Sequence, residues 1–279
     1  MLSYRHKKLI RRFLKGRIII IYGCVLLVLV VLAFFAPYLA PYDPIQISME
    51  GRKSPNIDHI FGTDRLGRDI FSRVMYGAKF SLTIGIISVS IGLTIGTIMG
   101  VISAYYGGII DTIIMRFIDA LLAFPGILLA LVVIAVLGPG LINVMLAVGI
   151  SSVPEYARLA RGKVLSVMQL EYVEAIHSLG GSNLRIIVKH ILPNISAPIT
   201  ILATLQVGNA ILVGSGLSFL GMGAQPPTPE WGLMTAEGRN FISQAWWIST
   251  FPGIAILITV ISINQFGDGL REAIDPYLK

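Results

Sequence analysis

Apolar runs long enough to cross a lipid bilayer recur along this chain, and they constrain its fold more tightly than any other feature. Residues 18–36, IIIIYGCVLLVLVVLAFFA, form the first run. As a helix its 19 residues extend about 29 Å, close to the ~30 Å hydrocarbon core. A cleaved signal sequence carries an apolar region of only about 7–15 residues, so this run is read as a retained helix. Further runs at 80–106, 117–137, 141–157, 196–220 and 248–267 bring the count to six. In hydrocarbon every backbone polar group needs an internal partner, and an α-helix supplies one within the segment. The expected fold class is therefore an all-α integral membrane protein with six transmembrane helices.

Composition agrees. The chain is 54% hydrophobic and only 13% charged, whereas soluble domains carry about 25% charged residues. Its net charge of +7 follows from basic residues held on one side of a membrane, and no nucleic-acid-binding signature accompanies it. Cys24 is the single cysteine, which excludes an intrachain disulfide and a cysteine-rich metal site. His6, His59, His177 and His190 lie outside the apolar runs and far apart, so neither a buried Ser–His pair nor a histidine metal centre is indicated. No GxxxxGKS or GxxxxGKT loop is present, which removes that route to ATP.

Charge bias sets the topology. Seven Lys and Arg precede the first run, placing residues 1–17 in the cytoplasm. Six crossings return the tail, 268–279, to the same side. Segment 158–195 is then cytoplasmic, with Arg158, Arg161, Lys163, Arg185 and Lys189. Segments 37–79 and 221–247 lie outside and together hold seven basic and seven acidic residues. The first of these, with Pro37, Pro41, Pro44 and Pro55, reads as an irregular loop with a short interfacial helix near 67–78.

Ser88, Gly92, Gly96, Gly100, Ala104 and Gly108 recur at steps of four, a small-residue face suited to close helix packing. Arg116 and Asp119 stand three apart on one helix face and are expected to pair near the cytoplasmic interface, as a structural or gating pair. Pro125 is expected to kink its span or free a carbonyl. Gln206 and Asn209 are polar at mid-span depth, suited to interhelical hydrogen bonds or to lining a pathway.

The most informative stretch is EAIHSLGGSNLRIIVKHILPN, residues 174–194. Leu165, Met168, Tyr172, Ile176 and Leu179 recur at three- and four-residue steps and predict an amphipathic helix over 165–179. Gly180-Gly181 stops it in a left-handed cap, and Ser182 caps a second helix. That helix places Leu184, Ile187, Val188 and Ile191 on one side, and Pro193 ends it. Such a segment suits the lipid surface, the protein's own spans or a groove on a soluble partner.

Glu174-Ala175, then Gly180 six residues after the glutamate, then Leu192-Pro193, resemble the EAA loop of ABC importer permeases. Ile176 stands where a second alanine is usual, and His190 where an isoleucine is usual. FGTDRLGRDIFSRVMYGAKFSL (61–82), LSFLGMGAQPPTPEWGLM (217–234) and NQFGDGLREAIDPYL (264–278) are similar to stretches of the oligopeptide, dipeptide and nickel importer permeases. The resemblance covers about residues 60–279. It implies a type I importer permease, with a five-helix core over 80–267 and a coupling helix in the EAA loop. Glu174, Ala175, Gly180, Leu192 and Pro193 are the implied ATPase-coupling positions. The implied partners are a second permease subunit, two ATP-binding subunits and an extracytoplasmic solute-binding protein, with peptide as substrate and no cofactor. A nickel or nickel-chelate importer of the same family is the alternative. From other classes, a secondary transporter or channel requires solute movement by the chain alone. An intramembrane enzyme would have only Asp119 and Asp268, both near the membrane edge. A passive scaffold would bind ATPases without segment 165–190.

Overall fold

The structure is a computed structural model that describes residues 17–274; residues 1–16 and 275–279 lie outside the description. The side expected for the basic N-terminus and the end of the tail therefore fall outside it too. Among the described residues the fold is all helical, apart from one isolated Thr63–Asp69 bridge. Helix α1 spans Arg17–Leu39, α2 Ile70–Tyr106, α3 Gly108–Leu122, α4 Gly126–Leu137 and α5 Leu141–Met168. Short α6 spans Glu171–Ser178, α7 Asn183–Phe219, α8 Trp231–Gly238 and α9 Trp247–Ile274.

Four helices, α1, α2, α7 and α9, are long and apolar enough to cross a bilayer. The α3–α4 pair makes a fifth crossing if its two helices, bent by 96°, count as one span. The expected count of six is thus not reproduced by length and apolarity alone. The shortfall lies in α5, whose second half carries Glu155, Arg158, Arg161 and Lys163. The bend has a local cause: a residue before proline avoids helical angles, so Phe124-Pro125 breaks the helix and Pro125 begins the next one. Helix α2 also starts ten residues earlier than the sequence pattern indicates, because Asp69 caps it. The Asp69 carboxylate accepts from both the Ser72 amide and hydroxyl at 2.7 Å. The short interfacial helix expected near 67–78 is in fact the first turns of this long rod.

The bundle is organised by the packing of α2 on α5. Gly92, Gly96 and Gly100 face α5 with no room for a side chain. A Cβ on Gly96 would lie 2.5 Å from the Val153 carbonyl oxygen and 2.6 Å from the Tyr156 Cβ. Ser88 Oγ donates to the Met145 carbonyl at 3.0 Å in the same seam. Gly149 answers from α5, where a Cβ would meet Ile91 at 2.8 Å. Close approach of this kind increases dispersion contact where no hydrophobic force distinguishes helix from lipid. Gly108, expected at the end of this face, does not belong to it. The helix ends at Tyr106, and Gly107 and Gly108 turn the chain with positive φ.

Helix α7 contains a π turn at Ile187–Ile191. Its buried isoleucines explain why: Ile186, Ile191, Ile195 and Ile199 step by five, four and four residues. A five-residue step in a regular helix would rotate the side chain well off the face, and the wider turn restores it. The expected face of Leu184, Ile187, Val188 and Ile191 is therefore corrected, since Leu184 and Val188 are exposed. Pro193 does not end a helix either. It sits in the first turn after the π segment, where its missing N–H breaks no regular α-helical bond, and the rod continues to Phe219.

At the end of the bundle where α2 begins, loop 40–69, α8 and the start of α9 form a cap. Arg68 and Arg73 are almost fully buried there. Arg68 Nε donates to Asp64 Oδ2 at 2.5 Å and Arg68 Nη2 to Glu237 Oε2 at 2.9 Å. Arg73 Nη2 reaches the same Glu237 oxygen at 3.2 Å, and its Nη1 the Pro44 carbonyl at 3.1 Å. Two carboxylates thus balance two guanidiniums. Trp231 Nε1 donates to the Val74 carbonyl and Trp247 Nε1 to the Thr63 carbonyl. Glu230 caps α8 through the Gly232 and Leu233 amides, and burial pushes its carboxyl above the usual range.

Two measurements check this architecture. Gly96→Ala should destabilise the detergent-solubilised protein by about 1–3 kcal/mol through overpacking. Gly216→Ala, where a Cβ meets nothing within 4 Å, should leave its thermal unfolding unchanged. Glu237→Ala, which leaves two buried guanidiniums with Asp64 as their one carboxylate, should cost about 3–5 kcal/mol and open loop 40–69 to limited proteolysis.

Candidate functional site

Two places in the bundle gather the residues singled out above. The first lies at the end of the bundle away from the cap. Helix α5 runs to Met168, so the amphipathic helix expected over 165–179 begins only at Glu171, after a break at Gln169-Leu170. Helix α6 ends in a Schellman turn: the Gly181 amide donates to the Ile176 carbonyl and the Gly180 amide to the His177 carbonyl, each at 3.0 Å. Gly180 holds φ +79° with open space around it, so its need for glycine is conformational. Gly181 is the crowded one, with its Cβ position 2.8 Å from Ile176 Cγ2. Ser182 occupies the N-cap of the next helix without a side-chain hydrogen bond.

This turn rests on the bundle by one face. Val173 and Ile186 are buried against the core, and Tyr105 donates its hydroxyl to Asn183 Oδ1 at 3.0 Å. Asn194 Nδ2 donates to the Tyr172 hydroxyl at 2.9 Å. The other face is bare. Leu179 is 87% and Leu184 72% exposed, with Glu174, Ala175 and Pro193 also exposed. Glu174 lines a shallow cavity with Tyr105, Tyr106, Met168, Val173, His177, Asn183 and Ile186, so it stands between the bundle and the bare face. Leu192 is partly buried against the core.

The expected Arg116–Asp119 pair is not formed. Asp119 accepts instead from Arg158 Nη2 at 2.7 Å, and Arg116 points out exposed. A second bridge nearby is bidentate: Arg161 Nε and Nη2 donate to the two oxygens of Asp111 at 2.7 Å. Ser103 adds a short hydrogen bond to the same carboxylate. The i, i+3 rule fails here because α5 brings two arginines across the face of α3, and a planar guanidinium meets a carboxylate better across helices.

The second place is halfway along the bundle. Gln206 and Asn209 on α7 line a cavity of about 240 Å³ with Val89, Gly126, Ile127, Val148, Ser151, Ser152, Glu155, Ala210 and Val213. Gln206 Nε2 donates to Glu155 Oε2, and Asn209 Nδ2 donates to Gln206 Oε1 at 3.1 Å. Glu155 is the residue that sequence reasoning missed. Glu155 falls inside the run read at 141–157 and is not singled out there. The helix continues through Pro154, so Glu155 lies about 20 Å from either end of α5. The signal available in the sequence was its register, one turn beyond Ser151 and Ser152.

Comparison with known proteins places these features in a family. Residues 92–279 match the family described as binding-protein-dependent transport system inner membrane component. The chain belongs to that family. Residues 6–55 match the N-terminal TM domain of oligopeptide transport permease C. The permease is 46% identical over 271 residues to the glutathione transport system permease protein GsiD of Pectobacterium atrosepticum, covering 96% of this chain and 90% of that protein. It is 45% identical over 266 residues to the dipeptide transport system permease protein DppC of Alkalihalophilus pseudofirmus, covering 95% and 88%. Its fold resembles a subunit of the MetNI methionine ABC transporter in inward-facing conformations, with a TM-score of 0.60 at 19% identity over 74% of this chain and 98% of that one. It also resembles an amino acid ABC transporter, with a TM-score of 0.55 at 13% identity over 71% and 92%. The permease is thus an inner-membrane component of an ABC importer of the peptide and glutathione type, with the type I importer fold.

Gly180→Ala should shift the turn by the left-handed penalty of about 1–2 kcal/mol. Hydrogen exchange of the 171–181 amides should rise, with that of α2 unchanged. Gly180→Asn should show a smaller rise, since asparagine tolerates this conformation.

Proposed function

We propose that the permease forms one half of the translocation pathway for di- and oligopeptides, including glutathione-like peptides. In this reading a second permease supplies the other half, two ATP-binding subunits drive the cycle, and an external binding protein delivers the solute. The observation that carries it is the bare apolar face of the α6–α7 turn. Leu179 and Leu184 project from a glycine-fixed corner whose opposite face is anchored on the core. A turn meant only to pack on its own bundle would not leave its two largest aliphatic side chains in solvent. Burying them in a partner groove would contribute roughly 1.5–3 kcal/mol each before association costs. The names of the relatives, a glutathione permease and a dipeptide permease, support peptide over nickel as the solute.

Coupling then runs through a rigid path. ATP-driven approach of the two motor subunits displaces the α6–α7 turn, α7 carries the motion along its length, and the cavity at Gln206 changes its exposure. This is alternating access through a bistable bundle. Glu174, Ala175 and Gly180 are the contact positions, and Leu192-Pro193 joins the turn to the rod. The orientation that serves this reading puts the turn and both termini in the cytoplasm and the 40–69 cap outside. The seven basic residues before the first span support it.

The test uses the reconstituted importer with its binding protein. Leu179→Asp and Gly180→Asp should leave assembly in the membrane intact and lower peptide uptake at least tenfold, because a charge in the apolar groove opposes docking by a few kcal/mol. ATP hydrolysis should persist without stimulation by loaded binding protein. Normal coupled uptake in both variants refutes the assignment.

A further inference from the structure

The cavity at Glu155 has an unbalanced hydrogen-bond chemistry. Its polar lining is Ser151, Ser152, Glu155, Gln206 and Asn209, and no Lys or Arg lines it. Each donor group there makes one hydrogen bond within the protein, and each amide NH2 keeps one further N–H. Ser151 Oγ donates to the Val148 carbonyl at 2.9 Å and Ser152 Oγ to the Gly149 carbonyl at 2.8 Å. Gln206 Nε2 donates to Glu155, and Asn209 Nδ2 to Gln206. The carboxylate fixes these amide orientations, because an acceptor-only group requires the NH2 of Gln206, which turns the Gln206 oxygen to Asn209. Free acceptor sites outnumber the two remaining neutral N–H groups. Among the described residues, Glu155 Oε1 and Asn209 Oδ1 take no protein hydrogen bond, and both serine hydroxyls keep lone pairs.

Charge makes the imbalance sharper. Glu155 has no cationic partner among the described residues, although Arg158 and Arg161 on the same helix are both paired elsewhere. It is exposed at the cavity rather than sealed. A lone carboxylate at this depth cannot face acyl chains without a penalty of several kcal/mol. Its open side therefore meets water. The complement of such a site is a compact cation with several N–H donors. A primary ammonium, with three donors and no acceptor, matches it. A hard divalent cation does not, since one carboxylate falls short of its usual ligand set. A soft or borderline metal would require His or Cys ligands, and neither lines the cavity.

We propose that Glu155, oriented by Gln206 and Asn209, is the subsite for the ammonium end of the transported solute. The carboxylate end then finds no cation in this cavity and is left to the other half of the pathway. This inference rests on the peptide-importer reading above.

The test needs no transport assay. Val213 lines the cavity and takes no part in the hydrogen-bond network. In the assembled importer in nanodiscs, with Cys24→Ser, Val213→Cys is reacted with cationic trimethylammonioethyl and anionic sulfonatoethyl methanethiosulfonate, with and without ATP. Mass spectrometry of this chain reports the rates. Relative to a free thiol, the cation should be favoured about tenfold, the factor expected of one nearby charge in a wet site. Glu155→Gln should bring that preference down to that of the free thiol. Millimolar ethylammonium should slow the labelling. Dialanine should slow it as well, and N-acetyl-dialanine should not. Absence of charge preference, preference that survives Glu155→Gln, or inertness to both reagents in both nucleotide states overturns the inference, whatever uptake the wild-type importer shows. Protection by ethylammonium but not by dialanine keeps the ammonium site and overturns the peptide reading instead.

Discussion

The structure depends on the glycine seam between α2 and α5. Membrane helices gain little from sequestering apolar surface from one another, so their association relies on distance and shape. Gly92, Gly96, Gly100 and Gly149 let the two backbones approach until a single methyl group would collide. Everything functional is referenced to that contact. Helix α5 carries Glu155 and Ser151 into the cavity, and Ser152, packed against Gly92, joins the cavity to the seam. Helix α2 carries the Asp69 cap at one end and the Tyr105 hydroxyl, which holds Asn183, at the other.

The two ends of α2 solve different problems. At the cap, two arginines and two carboxylates are buried together and satisfied by one another and by the backbone. Such a cluster is poor at adding stability and good at fixing one arrangement, since any slip strands a charge. At the far end the contacts are few and the apolar side chains are left outside. A charge-locked cap at one end, a sparsely held apolar turn at the other and a polar cavity between them divide the bundle into three regions.

Much of this was legible in the sequence and some was not, for identifiable reasons. The apolar runs, the four-residue glycine spacing and the Gly180 turn were readable, because each reflects a local rule of helix geometry. The start of α2 was misplaced because the apolar run begins only at 80, which split the rod from the short helix expected near 67–78; the buried partner that makes Arg73 tolerable, Glu237, is 164 residues away in sequence. The Arg116–Asp119 pairing failed for the same reason, since Arg158 approaches from another helix. Glu155 was overlooked because its depth depends on the helix running on past the apolar stretch to Met168. Gln206 and Asn209 were found at the right depth, and the structure joined them to their third member.

The π turn in α7 has a consequence for which side of the α6–α7 corner faces outward. An inserted residue in a helical ladder acts as a phase setting: it turns everything on one side relative to the other by about 100°. Here it lets Ile186 and Ile191 share an inward azimuth while Leu179 and Leu184 point outward. Without this one surplus residue the isoleucine face and the leucine corner would fall out of phase, and a different side of the corner would face outward.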